Sequence, residues 1–164
     1  AFVIDGFSKR YAMTGWRLGY AVVPQRYIRT IQCLVQNFLI SAPTISQWGG
    51  LAALEEADDD LEMMRNEYKK RRDFLLNGLD KIGLEVSSKP AGAFYVLVNM
   101  KQYSNDSLQF AYDLLENTNV AVTPGIDFGE GGEGFIRLSY ATSIENIEAA
   151  LSRIEDYLKK ISSH

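Results

Sequence analysis

Histidine and cysteine are almost absent from this sequence of 164 residues, which contains one of each. The histidine is His164, so no Ser-His-Asp triad, Cys-His pair or histidine-based metal site can be assembled within the chain. The cysteine, Cys33, has no partner for a disulfide within the chain, which favours a reducing compartment. Its position in an apolar-periodic segment predicts a buried thiol. Chemistry within this chain must therefore use lysine, arginine, tyrosine, carboxylates or a cofactor.

The sequence also has no basic block and no long apolar run. Its 21 acidic and 17 basic residues are spread along the chain and leave a formal net charge of −4, which argues against a nucleic-acid surface. No apolar stretch approaches the about 20 residues that a membrane span needs, and the first residues do not resemble a signal peptide. We therefore expect a cytoplasmic protein without nucleic-acid or membrane partners.

Three consecutive aspartates at residues 58–60 are the one acidic cluster that suggests a metal site. The run lacks the ligand spacing of a calcium-binding loop. Adjacent carboxylates at the start of a helix are more often solvated partners of the helix dipole. We therefore expect no metal in this protein.

The first 55 residues are predicted to contain two strands and two helices. The strands are AFVI (1–4) and RLGYAVV (17–23); a helix follows with apolar residues from Ile28 to Phe38 at helical spacing, and ISQWGGLAALEEA forms another helix, loosened by Gly49 and Gly50. Two strands alone leave edges and an uncovered face. Residues 1 to about 55 are therefore expected to be part of a larger domain.

Residues 56–164 are predicted to form a separate α+β unit. A long helix begins at Asp58 and stops at Gly83, and further helices span SLQFAYDLLENT (107–118) and residues 143–161, with Thr142 and Glu145 as a capping box. The predicted strands are GLEV (83–86), AGAFYVLVN (91–99), NVAVTP (119–124) and GFIRLSYA (134–141). This pattern indicates a small sheet covered by long helices.

Three cationic residues are candidates for chemistry. Lys9 has Arg10 and Arg17 nearby in sequence, and positive charge or desolvation favours the free amine that covalent catalysis needs, although a solvated loop lysine is the commoner case. Arg17 offers a planar fork for a phosphate or carboxylate, or for an ordinary salt bridge. Arg137 lies among apolar residues, where a guanidinium needs an anionic partner.

Four stretches of the sequence together resemble one protein family. SKRYAMTGWRLGY (8–20) is similar to the lysine signature of class I and II pyridoxal-phosphate aminotransferases, the aspartate aminotransferase superfamily of fold type I. SAPTISQ (41–47), PAGAFYVLV (90–98) and TPGIDFGEGGEGFIRLSYA (123–141) resemble further family segments in the same order. The resemblance covers essentially the whole chain and implies an α/β fold: a C-terminal piece of the large domain (1–55) followed by the small α+β domain (56–164).

The resemblance also implies an activity and residue roles. Lys9 would link covalently to pyridoxal 5′-phosphate as a Schiff base and serve as general base, while Arg17 would bind the cofactor phosphate. Arg137 would bind the substrate α-carboxylate, and Phe94 would lie near the substrate or serve as a core aromatic. The implied reaction is a ping-pong transamination between an amino acid and a 2-oxo acid, in a homodimer for the full-length protein.

Two departures from the family pattern leave alternatives open. Gly6 stands where many members have a phosphate-binding serine, and Asp5 lies too close to Lys9 to replace the aspartate that holds the pyridinium nitrogen. The part of family chains that precedes this region supplies much of the cofactor pocket, so we expect a fragment without the whole pocket, and its activity alone is left open. A folded structural or dimerisation module and a related fold type I lyase remain alternatives, and the sequence does not indicate which amino acid and oxo acid are used.

Overall fold

The computed structural model describes residues 1–162, which form two compact units. The first unit comprises Ala1–Arg65 and the second begins at Asn66, the division falling within a long helix. His164, the single histidine considered above, lies outside the described residues. No helix among residues 1–162 is long and apolar enough to span a membrane. The same residues contain no cluster of three or more potential metal ligands of the histidine, cysteine, aspartate or glutamate type.

The first unit is built on a β-hairpin with a folded connection. Its elements are β1 (Val3–Gly6), α1 (Phe7–Arg10), a 3₁₀ turn (Thr14–Trp16), β2 (Gly19–Val22), a second 3₁₀ turn (Gln25–Tyr27), α2 (Ile28–Phe38) and α3 (Thr44–Glu56). The strands pair antiparallel from Val3 with Val22 to Gly6 with Gly19. The backbone N–H of Phe7 donates to the carbonyl of Leu18 at 3.2 Å, so pairing continues one step into the connection.

Helix α3 packs closely against the hairpin connection through its glycines. An added Cβ at Gly49 would meet the Trp16 ring, and one at Gly50 would meet Leu18. The expectation that these glycines loosen the helix is therefore wrong, because α3 is continuous and the missing side chains permit close approach. Such approach is a common use of glycine within an element. The buried Ser46 hydroxyl also donates to the Trp16 carbonyl at 2.7 Å.

The apolar face of the first unit is largely exposed. Helix α2 forms as the periodicity predicts, yet Phe38 is 79% exposed, Ile4 in β1 is 83% exposed, and Cys33 is half-buried rather than buried. An apolar face of this kind requires another layer to cover it. The larger domain expected for this segment remains a prediction that these exposures support.

The second unit is a three-stranded antiparallel sheet covered on one face by helices. Its elements are the part of α4 (Asp58–Lys81) from Asn66 onward, β3 (Tyr95–Asn99), α5 (Ser107–Thr118), β4 (Thr123–Pro124), 3₁₀ turns at Gly125–Phe128 and Glu130–Gly132, β5 (Phe135–Ser139) and α6 (Ile144–Ser162). The strand order is β3-β5-β4. Alternate strand residues, Val96, Val98, Ile136 and Leu138, enter a core completed by helix residues including Leu79, Leu114, Ile147 and Ile154. The opposite face of the sheet is not covered by these helices and is therefore open to a ligand.

Two local predictions for this unit are wrong. The GLEV segment forms no strand: Leu84 is buried, while the Glu85 carbonyl accepts one backbone bond, from Asn99 N–H at 3.0 Å. The cap of α6 is Ser143 rather than Thr142, because the Ser143 hydroxyl accepts from Asn146 N–H at 3.3 Å. By contrast, Gly83 has φ +75° just beyond α4, where glycine commonly ends a helix, as predicted.

Candidate active site

Lys9 and Arg17 lie on the same folded connection between β1 and β2. Lys9 is in α1 and Arg17 follows the first 3₁₀ turn, and both are exposed. Arg17 Nη1 donates to the Thr14 carbonyl at 3.0 Å, and the Thr14 hydroxyl donates to the Ser8 carbonyl at 3.0 Å. These bonds link the residue beside Lys9 to Arg17. The connection thus presents a primary amine and a guanidinium on one small ordered segment.

The connection holds its shape through two buried side chains and two unusual backbone conformations. Phe7 and Met13 are 5% and 7% exposed, which anchors the segment from within. Ala12 and Arg17 adopt left-handed conformations with φ of 54° and 51°. A non-glycine residue in that region costs of order 1–3 kcal/mol and clusters at functional sites. The strain at Arg17 makes it a stronger candidate for a binding residue than its sequence position alone does.

Arg137 lies at the centre of the open face of the second unit's sheet. It pairs with Leu97 on β3 and with Thr123 on β4, and Arg137 Nη2 donates to the Thr123 hydroxyl at 3.1 Å. Its guanidinium carbon lies over the Tyr95 ring at 4.8 Å and over the Phe128 ring at 5.0 Å. Within the described part of this unit, no carboxylate forms an ion pair with Arg137. The predicted anionic partner is therefore not supplied by that part of the unit.

A pocket of about 480 Å³ opens beside Arg137. Its lining is mainly apolar and includes Pro90, Ala93, Leu97 and Phe135. A single cation in a mainly apolar pocket is typical of sites that bind a small molecule with one anionic group. The pocket and Arg137 together can bind a small carboxylate.

Phe94 lies at the edge of the core of the second unit. Its ring is 6.2 Å from that of Tyr68 and 5.0 Å from that of Tyr95, and its carbonyl accepts from Tyr140 N–H at 2.8 Å. These contacts support the core-aromatic alternative, while the neighbours Ala93 and Tyr95 line the Arg137 pocket. A substrate contact by Phe94 remains a prediction.

Sequence reasoning missed the residues that surround Arg137. Tyr95 was detectable, because strand alternation from the apolar Val96 and Val98 places it on the open face with Arg137. Phe128 gave no such signal, since it lies in a glycine-rich loop and reaches Arg137 only through the tertiary fold.

The loop that carries Phe128 is fastened to the start of α5 by Glu133 and Ser107. Glu133 Oε1 accepts from Ser107 N–H at 2.6 Å and from Gly134 N–H at 3.0 Å. The Ser107 hydroxyl accepts from Ile126 N–H at 3.1 Å. The backbone bond from Ser107, then that from Gly134, holds the pKa of Glu133 below its usual value of 4.5. The loop is thereby held at both ends.

Changing Glu133 to glutamine is expected to weaken this fastening in a pH-dependent way. Because the folded state lowers the pKa of Glu133, its carboxylate stabilises the fold fully above about pH 4.5, and the stabilisation is lost as pH falls through the lower folded value. Urea unfolding of the unmodified chain and of Glu133→Gln should therefore give a difference in unfolding free energy that shrinks with acidification.

Glu130→Gln is the matched control, since its exposed carboxylate is in the same loop and accepts no hydrogen bond from the described residues. A stability difference for Glu133→Gln that stays constant from pH 7 to pH 3 would contradict the expectation.

Comparison with known proteins relates the segment with Lys9 and Arg17, and the segment with Arg137, to one family. The family model described as aminotransferase class I and II matches residues 1–154. The chain belongs to this family. Its α/β fold corresponds to the C-terminal part of fold type I aminotransferases, as the sequence resemblance implied.

Individual relatives of this aminotransferase chain cover nearly all of it. It is 46% identical over 159 residues to a (5-formylfuran-3-yl)methyl phosphate transaminase of Methanocaldococcus jannaschii, covering 96% of the chain and 42% of that relative. It is 43% identical over 153 residues to an aspartate/prephenate aminotransferase of Thermus thermophilus, covering 92% of the chain and 39% of that relative.

A solved aminotransferase structure from Mycobacterium tuberculosis has a TM-score of 0.91 with the chain at 41% identity. The match covers 98% of the chain and 42% of that structure. The chain thus spans about two fifths of the length of these relatives and aligns with their C-terminal portion.

The side chains on the hairpin connection fit pyridoxal phosphate, on which family members generally depend. An aldehyde condenses with a primary amine, which Lys9 provides, and a phosphate suits a planar guanidinium, which Arg17 provides. Both side chains are exposed on one ordered segment. The amine and the guanidinium of this segment therefore match the aldehyde and the phosphate of that cofactor.

Proposed function

We propose that the protein carrying this chain catalyses transamination, which moves an amino group between an amino acid and a 2-oxo acid. The observation that carries the proposal is the placement of Lys9 and Arg17 on one connection braced by the Thr14 hydrogen bonds. Similarity to several named aminotransferases supports the reaction class. The pocket at Arg137 supports a carboxylate substrate.

Some residues of the chain are proposed to bind the cofactor and others the substrate. Pyridoxal phosphate, when bound, supplies an electron sink for the bonds at the substrate α-carbon. Lys9 would hold it covalently through Nζ, and the Lys9 amine would also serve as the base that takes the proton from the substrate α-carbon. Arg17 binds the phosphate, Arg137 binds the substrate carboxylate, and Phe94 lies near the substrate.

We infer a ping-pong order from the use of one carboxylate site for both 2-oxo acids. The first 2-oxo acid must leave before the second 2-oxo acid enters, because both use the same carboxylate site at Arg137. The same proposal includes three further points. They are a cytoplasmic location, a homodimer of the complete protein, and the division into a large-domain piece (1–55) and a small domain (56–164).

Borohydride reduction after incubation with pyridoxal phosphate tests the cofactor assignment on this chain. Reduction makes an amine–aldehyde adduct permanent, so peptide mass mapping locates the labelled lysine. We expect label on Lys9 in clear preference to the other lysines, because Arg17 on the same connection attracts the phosphate.

Pyridoxal without its phosphate is the matched control and should lose the preference for Lys9. Exposed Lys69 and Lys70 serve as internal references for non-specific reaction. Label distributed evenly over these lysines and Lys9 would contradict cofactor binding by this chain and favour a folded module without activity of its own.

A further inference from the structure

Arg137 contacts two aromatic rings that come from different parts of the second unit. Tyr95 belongs to β3, and Phe128 ends the 3₁₀ turn at Gly125–Phe128. Their ring centroids lie 4.8 Å and 5.0 Å from the guanidinium carbon. A ring face attracts the cation but does not take the place of an oxygen acceptor. The N–H donors of Arg137 therefore still require oxygen acceptors, and Nη2 has one in the Thr123 hydroxyl.

This arrangement matters because a guanidinium on a long side chain has several rotatable bonds. Bidentate binding of a carboxylate requires the planar fork to take one orientation, and ordering it on binding costs conformational entropy. Ring contacts from two elements restrict the orientations before a ligand arrives. The restriction lowers the cost of binding, which is the usual effect of preorganisation.

Phe128 has no evident role in the core, yet its position is well defined. Its side chain is 51% exposed, and it is not part of the buried cluster of the unit. The turn that carries it is fixed by Gly129 N–H donating to the Ile126 carbonyl at 2.9 Å, and by the bond from Ile126 N–H to Ser107. Backbone hydrogen bonds thus fix the turn that places the exposed Phe128 ring over the Arg137 guanidinium.

Close backbone contact fixes the same loop from its other side. An added Cβ at Gly125 would collide with backbone atoms of Gly132, and one at Gly132 with those of Gly125. The two backbone segments can approach this closely only because neither residue has a side chain. The loop therefore has a defined shape that places Phe128 at Arg137.

We propose that Phe128 is a positioning residue that orients the Arg137 guanidinium for a bidentate bond to the carboxylate of an amino acid or 2-oxo acid. The proposal rests on the function proposed for Arg137 and deepens it. It assigns to the exposed aromatic of the glycine-rich loop an effect on substrate affinity without contact with the reacting atoms.

The test follows the Arg137 Nε–Hε signal by NMR in the whole chain, with pyruvate as the probe. Phe128→Ala is expected to weaken pyruvate binding about five- to tenfold, and to lower the order parameter of Arg137 Nε–Hε without ligand. Phe128→Tyr retains a ring and should restore both values to within about twofold of the unmodified chain. Because Phe128 is half exposed, its replacement leaves the core intact.

Tyr112→Ala is the matched control, since Tyr112 is 56% exposed on α5 and outside the pocket lining. An unchanged Arg137 order parameter in Phe128→Ala, or unchanged pyruvate affinity, would overturn the positioning role. Pyruvate affinity that survives Arg137→Leu would instead overturn the carboxylate site itself, so the two failures are distinguishable.

Discussion

Replacing Lys9 with alanine is expected to abolish transamination in the complete protein, with a loss of at least about 10⁴-fold in kcat. The size of the effect follows from the two tasks proposed for one amine, which holds the cofactor covalently and then moves the α-proton. An exposed lysine on a surface connection contributes little to stability, so the variant should fold normally. The measurement is the rate of 2-oxo acid formation from a panel of amino acids, analysed by mass spectrometry.

Lys69→Ala provides the control, because it removes an exposed lysine from helix α4 by the same substitution. It should retain the activity of the unmodified protein. Turnover of Lys9→Ala within a fewfold of the unmodified protein would defeat the assignment of Lys9. Products of carbon–sulfur cleavage or ring closure in the unmodified protein would show that the chemistry is that of a related lyase.

The helices of the second unit were predictable because their apolar residues recur with a strong helical period. Helix α6 buries Ile147, Leu151, Ile154 and Leu158 on the face that the sequence indicates. Helix α5 has the bounds read from the sequence, Ser107–Thr118. A long periodic pattern averages out local irregularities, so such elements depend little on the rest of the chain.

Two of the errors, in the GLEV segment and in α3, occur where non-local contacts decide the local structure. The GLEV segment has strand-like composition, but one backbone bond to Asn99 does not make a ladder. Gly49 and Gly50 suggest a loosened helix until the contacts of α3 with Trp16 and Leu18 are known. Composition within a short window contains no information about such partners.

The charged residues of the candidate site were proposed from the sequence, and their surroundings were not. The motif around Lys9 and Arg17 identifies the two side chains, whereas the left-handed conformations of Ala12 and Arg17 have no compositional signal. Arg137 was identifiable because a guanidinium between apolar residues needs a partner. The ring of Phe128 reaches it through a loop that the sequence leaves unspecified.

Arg137→Ala is the second substitution with a large expected effect, and it separates substrate binding from cofactor binding. Removing one member of a hydrogen-bonded charge pair costs about 2–5 kcal/mol, so kcat/KM for amino acids should fall by roughly 30- to 4,000-fold in the complete protein. Reductive labelling of Lys9 by pyridoxal phosphate should change by less than about twofold, because Arg137 is proposed to bind only the substrate carboxylate. Steady-state kinetics and peptide mapping measure the two quantities.

The matched control for this prediction is Arg153→Ala, which removes an exposed arginine of α6 in the same unit and should leave both quantities unchanged. Parallel losses of Lys9 labelling and of kcat/KM in Arg137→Ala would assign Arg137 a structural role. That outcome is disfavoured by its position on the open face of the sheet, where Tyr95, Phe128 and Thr123 contact the guanidinium. A cation held by two rings and a hydroxyl beside an apolar pocket retains donors for a carboxylate, the group that the proposed 2-oxo acid and amino acid substrates share.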